Sequence, residues 1–199
     1  MERADSLAFD LHKWLYLQFE AGCVLVRREE DHRRAFSLTP EYLAHRGERG
    51  LASGSLWFSE YGMQLTRGFR ALKIWMVIKE QGIRKFGRMI HQNVAQARYL
   101  AALVDAAPQL ELLAPVPLNI VCFRYRAEGF DELALNELNQ ELLIRLHESG
   151  LAAPSNTMLN GAYALRAAIT NHRSRREDFD LLVREVIRLG DELVFEKYG

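Results

Sequence analysis

The sequence predicts a mixed α/β chain in two parts, and three observations carry that expectation. A Val- and Leu-rich run near the N-terminus, "CVLVRR" at 23–28, reads as a strand. Two helical stretches follow one another between residues 70 and 107, with apolar residues at three- and four-residue spacing and a break at Gly82. Beyond residue 85 the order is helix, two strands, helix, strands, helix, the pattern of a small α+β layer. The expected boundary puts residues 1–85 in one domain and 86–199 in a second.

The opening segment "DSLAFDLHKW" (5–14) reads as the end of a strand followed by a loop. After "CVLVRR", residues 31–57 are polar and turn-rich, with Pro40, Gly47, Gly50 and Gly54 and little periodicity. A long surface loop is expected there, and loops of that length in compact domains usually carry function or motion. In "RALKIWMVIKEQG", Leu72, Trp75, Met76 and Lys79 fall at helical spacing, and Gly82 stops the helix. A second helix places Phe86, Ile90, Val94, Ala97, Leu100 and Val104 on one face, with Pro108 at its exit. "LELLAP" and "NIVCFRYR" are expected strands on either side of Pro115 and Pro117. In "DELALNELNQELLIRLHESG", Asp131 suits an N-cap and Gly150 the residue after the C-cap. Asn160-Gly161 inside "TMLNGAYALRAAIT" is a favoured turn dipeptide and predicts a hairpin. The segment 175–199 reads as the closing helix.

The 199 residues are 49% hydrophobic and 26% charged, as in soluble globular proteins. Lys plus Arg and Asp plus Glu balance at 26 each, so there is no net field to recruit nucleic acid or an anionic membrane. Cys23 and Cys122 lie in apolar runs and are expected as buried free thiols of a reducing compartment. "MERADSLAFD" lacks the apolar segment of a secretion signal, and no apolar run reaches the length of a membrane span. A cytoplasmic protein is expected. His91, His147 and His172 stand outside any motif, and nothing has metal-ligand spacing.

Lys13 sits between His12 and Trp14 just ahead of the first strand-like run. A lysine beside large rings ordinarily packs its stem and lifts its amine to water. A chemical role needs the neutral amine, which burial and a protonated His12 would favour. Such an amine attacks a carbonyl and holds a Schiff base. Spacing alone leaves both readings open.

The blocks "ADSLAFDLHKW" and "CVLVRR" resemble the region around the cofactor lysine of the group II pyridoxal-phosphate-dependent amino acid decarboxylases. That family includes the aromatic L-amino acid, histidine and glutamate decarboxylases. The similarity continues in register. "FSLTPEYL" resembles the family's mobile catalytic loop and "QLTRGFRALKIW" its arginine-rich helix start; "NIVCFRYR" is similar to a C-terminal-domain strand, and "ALRAAITNHRSRREDFDLLVREVIRLG" to the closing strand and helix. The resemblance spans nearly the whole chain. It implies the C-terminal portion of the fold type I, aspartate aminotransferase-like fold: the end of the large cofactor domain over 1–85 and the small α+β domain over 86–199. It also implies pyridoxal 5'-phosphate as cofactor and decarboxylation of an L-amino acid to the amine and carbon dioxide. An aromatic substrate is expected first, because the loop and helix blocks look closest to that branch, and a small or acidic amino acid next.

Carried over residue by residue, Lys13 matches the lysine that forms the internal aldimine. His12 matches the residue beside the cofactor phosphate; without the match it reads as a packed core histidine. Asp10 falls where some relatives carry Asn near that phosphate, and a carboxylate against a dianion is unfavourable unless paired. Tyr42 matches the loop tyrosine that donates a proton to Cα, a role for a phenol only in a closed, dry site; taken alone it is an exposed loop aromatic. In this family the loop reaches into the partner subunit's site, which implies a homodimer. Thr66 lies where relatives vary between small residues and so tune the substrate. Arg67 and Arg70 flank Gly68 along the implied active-site wall, with surface or salt-bridged arginines as the other reading. Arg166 matches an arginine that faces the substrate carboxylate in glutamate decarboxylases; a structural ion pair is the alternative, since an arginine inside an apolar strand needs an anionic partner.

Family members are much longer. The Asp that pairs with the pyridine nitrogen, the ring-stacking residue and the Ser/Thr-rich phosphate turn lie upstream of the matched part. The expectation is therefore a piece of a split or truncated enzyme that works with a separate N-terminal chain, or else a remnant or non-catalytic interaction module. The strand surface from Lys13 to Arg28 would be an unpartnered edge of a large sheet, which favours association with a second copy or another chain.

Overall fold

A computed structural model describes residues 2–38, 49 and 57–198. The chain divides into two compact units, Met1–Gly82 and Ile83–Gly199.

In the N-terminal unit, strands β1 (Ser6–Asp10) and β2 (Gly22–Val26) pair antiparallel, from Ser6↔Val26 to Asp10↔Gly22. Among the described residues they form a two-stranded sheet of their own, and Phe9, Val24 and Leu25 are exposed on it. Between them lies a single helical turn, α1 (Leu11–Trp14), where a loop was expected. Helix α2 (Glu29–Phe36) corrects the expectation of an unbroken loop over 31–57. Its first turn carries Glu29, Glu30 and Asp31 and its last Arg33 and Arg34. Those charges complement the helix dipole at both ends, a signal that apolar periodicity does not register. A 3-10 turn follows at Phe58–Tyr61. Tyr42 lies outside the described residues, as does most of the expected catalytic loop.

Helix α3 (Arg70–Gln81) ends at Gly82, whose φ of 74° favours glycine and whose N–H donates to the Ile78 carbonyl at 2.9 Å. Its packed side is Ile74 and Val77, which join Leu11, Leu15, Leu17, Ala21 and Cys23 in a small core. Leu72, Trp75 and Met76, the face the spacing suggests, are exposed. The helix is apolar on two sides, so periodicity could not choose between them. Cys23 is half-buried rather than buried, and Cys122 is buried; both thiols are free.

The C-terminal unit begins with α4 (Ile83–Ala106), which buries Phe86, Ala97, Leu100 and Val104 as the spacing predicts. A four-stranded antiparallel sheet runs in the order β3 (Leu110–Leu112), β4 (Ile120–Tyr125), β6 (Ala162–Ala168), β5 (Ser155–Leu159). Val121, Phe123 and Tyr125 of β4 and Leu165 and Ala167 of β6 join the core with α4, α5 (Glu132–Glu148) and α6 (Arg176–Tyr198). Fully burying such side chains contributes about 1.5–3 kcal/mol each. Strand alternation turns Cys122, Arg124 and Arg166 toward the opposite face. The Asp131 carboxylate accepts the Ala134 N–H at 2.8 Å and caps α5, and Gly150 follows its end at φ 70°. Asn160 and Gly161 have φ values of 51° and 88°, the double left-handed geometry of a tight hairpin turn between β5 and β6.

Strands β4 and β6 pair from Ile120↔Ala168 to Phe123↔Leu165 and then part. Two asparagines of α5 satisfy the backbone there. Asn139 accepts the Tyr125 N–H at 2.7 Å and donates to the Tyr125 carbonyl at 2.8 Å. Asn136 accepts the Tyr163 N–H at 2.6 Å and donates to the Gly161 carbonyl at 2.8 Å. Gly190 lets α6 approach β4: a Cβ there would stand 2.2 Å from the Tyr125 ring. Among the described residues no helix is long and apolar enough to cross a membrane.

Candidate active site around Lys13

The turn that carries Lys13 is held by one peptide. Leu11 N–H and His12 N–H both donate to the Ala21 carbonyl, at 2.8 and 3.3 Å. The Ala21 N–H in turn donates to His12 Nδ1 at 3.1 Å. Ala21 is buried, as are Leu11 and Leu17 beside it, so this clasp works out of water. It also fixes the imidazole: with Nδ1 accepting, the proton of neutral His12 sits on Nε2, leaving that edge a donor. The His12 ring meets the Phe19 ring edge-on at 4.9 Å.

Lys13 does not lie wedged between rings. Its side chain is 68% exposed, and Nζ stands 2.5 Å from Asp10 Oδ2. The Asp10 carboxyl is held below the usual carboxylate range, first by its hydrogen bond from Lys13 and then, against some desolvation, by the charges of Lys13 and His12. The turn held at Ala21 delivers the Lys13 amine to the surface.

Next to this turn, α3 is tied to the loop that follows α1. Arg70 pairs with Glu20, and Lys73 Nζ donates to the Gln18 carbonyl at 3.0 Å. Arg70 therefore follows the salt-bridge reading. The Glu20 carboxyl is drawn below its ordinary range, chiefly by the hydrogen bond and charge of Arg70. Arg67 donates to the Phe58 carbonyl at 3.3 Å, and Thr66 is exposed. On either side of the segment that holds Tyr42, Arg33 meets Glu60 at 2.5 Å, the Tyr61 hydroxyl donates to Glu29, and His32 packs edge-on against Phe36 and Tyr61.

Arg166 belongs to the C-terminal unit, where it sits in register with Cys122 of β4 and Ser155 of β5. It is half-buried and donates to the Ser155 hydroxyl at 3.3 Å. Among the described residues no carboxylate lies within ion-pair distance of it. It lines a cleft of about 480 Å³ with Pro154, Ser155, Thr170, Asn171 and Asp178. Burial pushes the neighbouring Cys122 thiol up, against the charge of Arg166. The rule that a strand arginine needs anions is obeyed instead by Arg124, buried between Glu132 and Glu111, the latter at 2.9 Å.

The structure thus brings Asp10, His12 and Lys13 together on one turn, with Arg67 and Thr66 in the same unit and Arg166 in the other. Sequence reasoning missed Ala21 and Glu20. No local pattern marks Ala21, whose contribution is its backbone, and Glu20 is separated from its partner Arg70 by the whole of α2 and the loop after it.

Residues 1–126 match the family described as the pyridoxal-dependent decarboxylase conserved domain. The chain is 32% identical to an aromatic-L-amino-acid decarboxylase of Bacillus atrophaeus over 194 residues, 97% of this chain and 40% of that protein. It is 36% identical over 178 residues to a histidine decarboxylase of Drosophila melanogaster, covering 89% of this chain and 20% of that one. Among solved structures, Oryza sativa TDC with PLP and tryptamine superposes with a TM-score of 0.87 at 28% identity, over 96% of this chain and 40% of that one. The chain spans between a fifth and two fifths of the length of these decarboxylases.

Proposed function

Because this chain belongs to the pyridoxal-dependent decarboxylase family, we propose that it carries the lysine-bearing part of an enzyme that decarboxylates an L-amino acid, an aromatic one first, to the amine and carbon dioxide. The fold is the C-terminal part of fold type I. The observation that carries the reading is the clasped turn: a peptide-locked α1 presents Lys13 and a His12 of fixed tautomer side by side. These residues fit pyridoxal phosphate at its two reactive ends. A primary amine 68% open to solvent can join the aldehyde, and the Nε2–H of His12 can donate to the phosphate.

Bound pyridoxal phosphate supplies an electron sink for the pair released when the bond from Cα to the carboxylate breaks. The chain's own residues do the rest. Lys13 would hold the cofactor covalently, and His12 would orient it by a hydrogen bond. Arg166, with no carboxylate of its own among the described residues, binds the carboxylate of the substrate. Thr66 and Arg67 shape the substrate side, and Tyr42 returns the proton to Cα. The cytoplasm is the proposed location, a reading that the free thiols Cys23 and Cys122 support.

The test is carbon dioxide release from a panel of aromatic, small and acidic L-amino acids with pyridoxal phosphate present. Release from the aromatic members that disappears in Lys13→Ala supports the reading; release that persists in the variant ends it.

A second reading is a module that functions only when joined to further polypeptide, either a second copy or an N-terminal chain. One observation favours it. In the N-terminal unit Phe19, Phe69 and Trp75 are exposed at 82%, 75% and 60%, and among the described residues its sheet has two strands. Apolar exposure on that scale marks interaction surfaces, and two strands alone are marginal in water. Light scattering of the pure chain separates the cases: a stable, active monomer excludes this reading.

A further inference from the structure

We propose that Asp10 is a positioning residue for Lys13: its carboxylate ties Nζ down by a salt bridge in the free chain and must release it before the amine can add to a carbonyl. The proposal deepens the reading of Lys13 as the cofactor lysine, and depends on that reading only for the identity of the carbonyl compound.

Three observations on the turn support it. Asp10 occupies the N-cap position of α1, yet its side chain makes no cap hydrogen bond. The Ala21 carbonyl already takes the first two N–H groups of the turn, which frees the Asp10 carboxylate for another partner. That partner is Lys13 Nζ at 2.5 Å, on the same side of the turn three residues on. Across the sheet Asp10 is paired with Gly22, so no side chain stands opposite to compete; even a Cβ there would reach only 3.8 Å from Asp10 Oδ1.

The chemistry follows from the charge state. An ammonium group has no lone pair. To condense with an aldehyde, Lys13 gives up one proton to solvent, its nitrogen bonds the carbonyl carbon, and its two remaining hydrogens leave with the carbonyl oxygen as water, so that a C=N bond remains. A carboxylate at 2.5 Å engages the amine and holds its end at Asp10. Among the described residues nearby, Glu20 is engaged with Arg70 and Lys73 with the Gln18 carbonyl, while His12 also acts on Asp10. Asp10 is the carboxylate that acts on this amine.

The experiment is competitive trace acetylation of the full chain with acetic anhydride at one fixed mildly alkaline pH, read peptide by peptide by mass spectrometry, with Lys79 as internal standard. Acetic anhydride asks only how available the amine is, so the result is independent of any cofactor. Relative to the native chain, Asp10→Asn should raise the acetylation rate of Lys13 roughly two- to five-fold, the range an exposed charge pair commands. Asp10→Glu should return it toward the native rate. In the native chain, molar salt should raise the Lys13 rate toward that of Asp10→Asn, because screening weakens the pair. A Lys13 rate unchanged in Asp10→Asn, or equally raised in Asp10→Glu, overturns the proposal. So does a native rate indifferent to salt, a measurement that needs no variant to fold. Parallel labelling with pyridoxal phosphate and borohydride tests the cofactor reading separately: loss of that label with the acetylation pattern intact would sink the cofactor reading and leave the role of Asp10 standing.

Discussion

Asn139→Ala should be among the most damaging single changes in the C-terminal unit, although it removes only a small polar side chain. Asn139 is fully buried, and both ends of its amide serve the backbone of Tyr125. Truncation orphans one buried N–H and one buried C=O, at about 1–3 kcal/mol each, for a loss of about 2–6 kcal/mol before any cavity is counted. Asn136→Ala is the internal comparison. Its side chain does the equivalent work for Tyr163 and Gly161 at a more exposed place, where water replaces the lost partner, so about 1 kcal/mol is expected. Urea unfolding followed by far-ultraviolet circular dichroism measures both, and hydrogen exchange at the Tyr125 amide shows whether the damage is local. The split that these asparagines fill opens just beyond the Phe123↔Leu165 pair. A loss below about 1 kcal/mol for Asn139→Ala, or equal losses for the two variants, would refute the claim that the amide completes the parted ladder.

Other outcomes follow from the same geometry. Gly190→Ala places a methyl inside the Tyr125 ring and should destabilise by about 1–3 kcal/mol, seen as a lower melting temperature. Arg145 hydrogen-bonds Glu196 and holds its carboxyl below the ordinary range, so the tie between α5 and α6 is complete above about pH 4.3, the unfolded value, and is lost as pH falls through the lower folded value. Acid titration should therefore destabilise the native chain more than Arg145→Met, which starts without the tie. Arg166→Met should raise the KM for the amino acid about 10- to 100-fold, the range of a hydrogen bond to a charged group, and leave cofactor labelling of Lys13 unchanged.

The parts of the fold that were legible in the sequence are those where one local rule acts alone. Asp131 and Gly150 mark the ends of α5, Asn160-Gly161 turns β5 into β6, and the face from Phe86 to Val104 is buried along α4. Reading failed where two signals compete or where the signal is not a side chain. Helix α3 is apolar on two sides, and the small core took Ile74 and Val77 rather than Leu72 and Trp75. Helix α2 is written in charge rather than in apolar spacing. At the site, the grouping of Asp10, His12 and Lys13 was legible because four consecutive residues hold it. The Ala21 peptide that locks the turn was not, because any residue supplies an N–H and a C=O. The outward course of the Lys13 side chain was one of two readings left open, but its pairing with an acid three residues back that makes no cap bond was not legible.

The central claim is that Lys13 is the amine that takes up pyridoxal phosphate, and peptide mass mapping after borohydride reduction tests it most directly. The account predicts one dominant reduced adduct, on the peptide carrying Lys13, formed well ahead of any adduct on Lys73, Lys79 or Lys85. Label spread evenly over those lysines, with none favoured at Lys13, would contradict it.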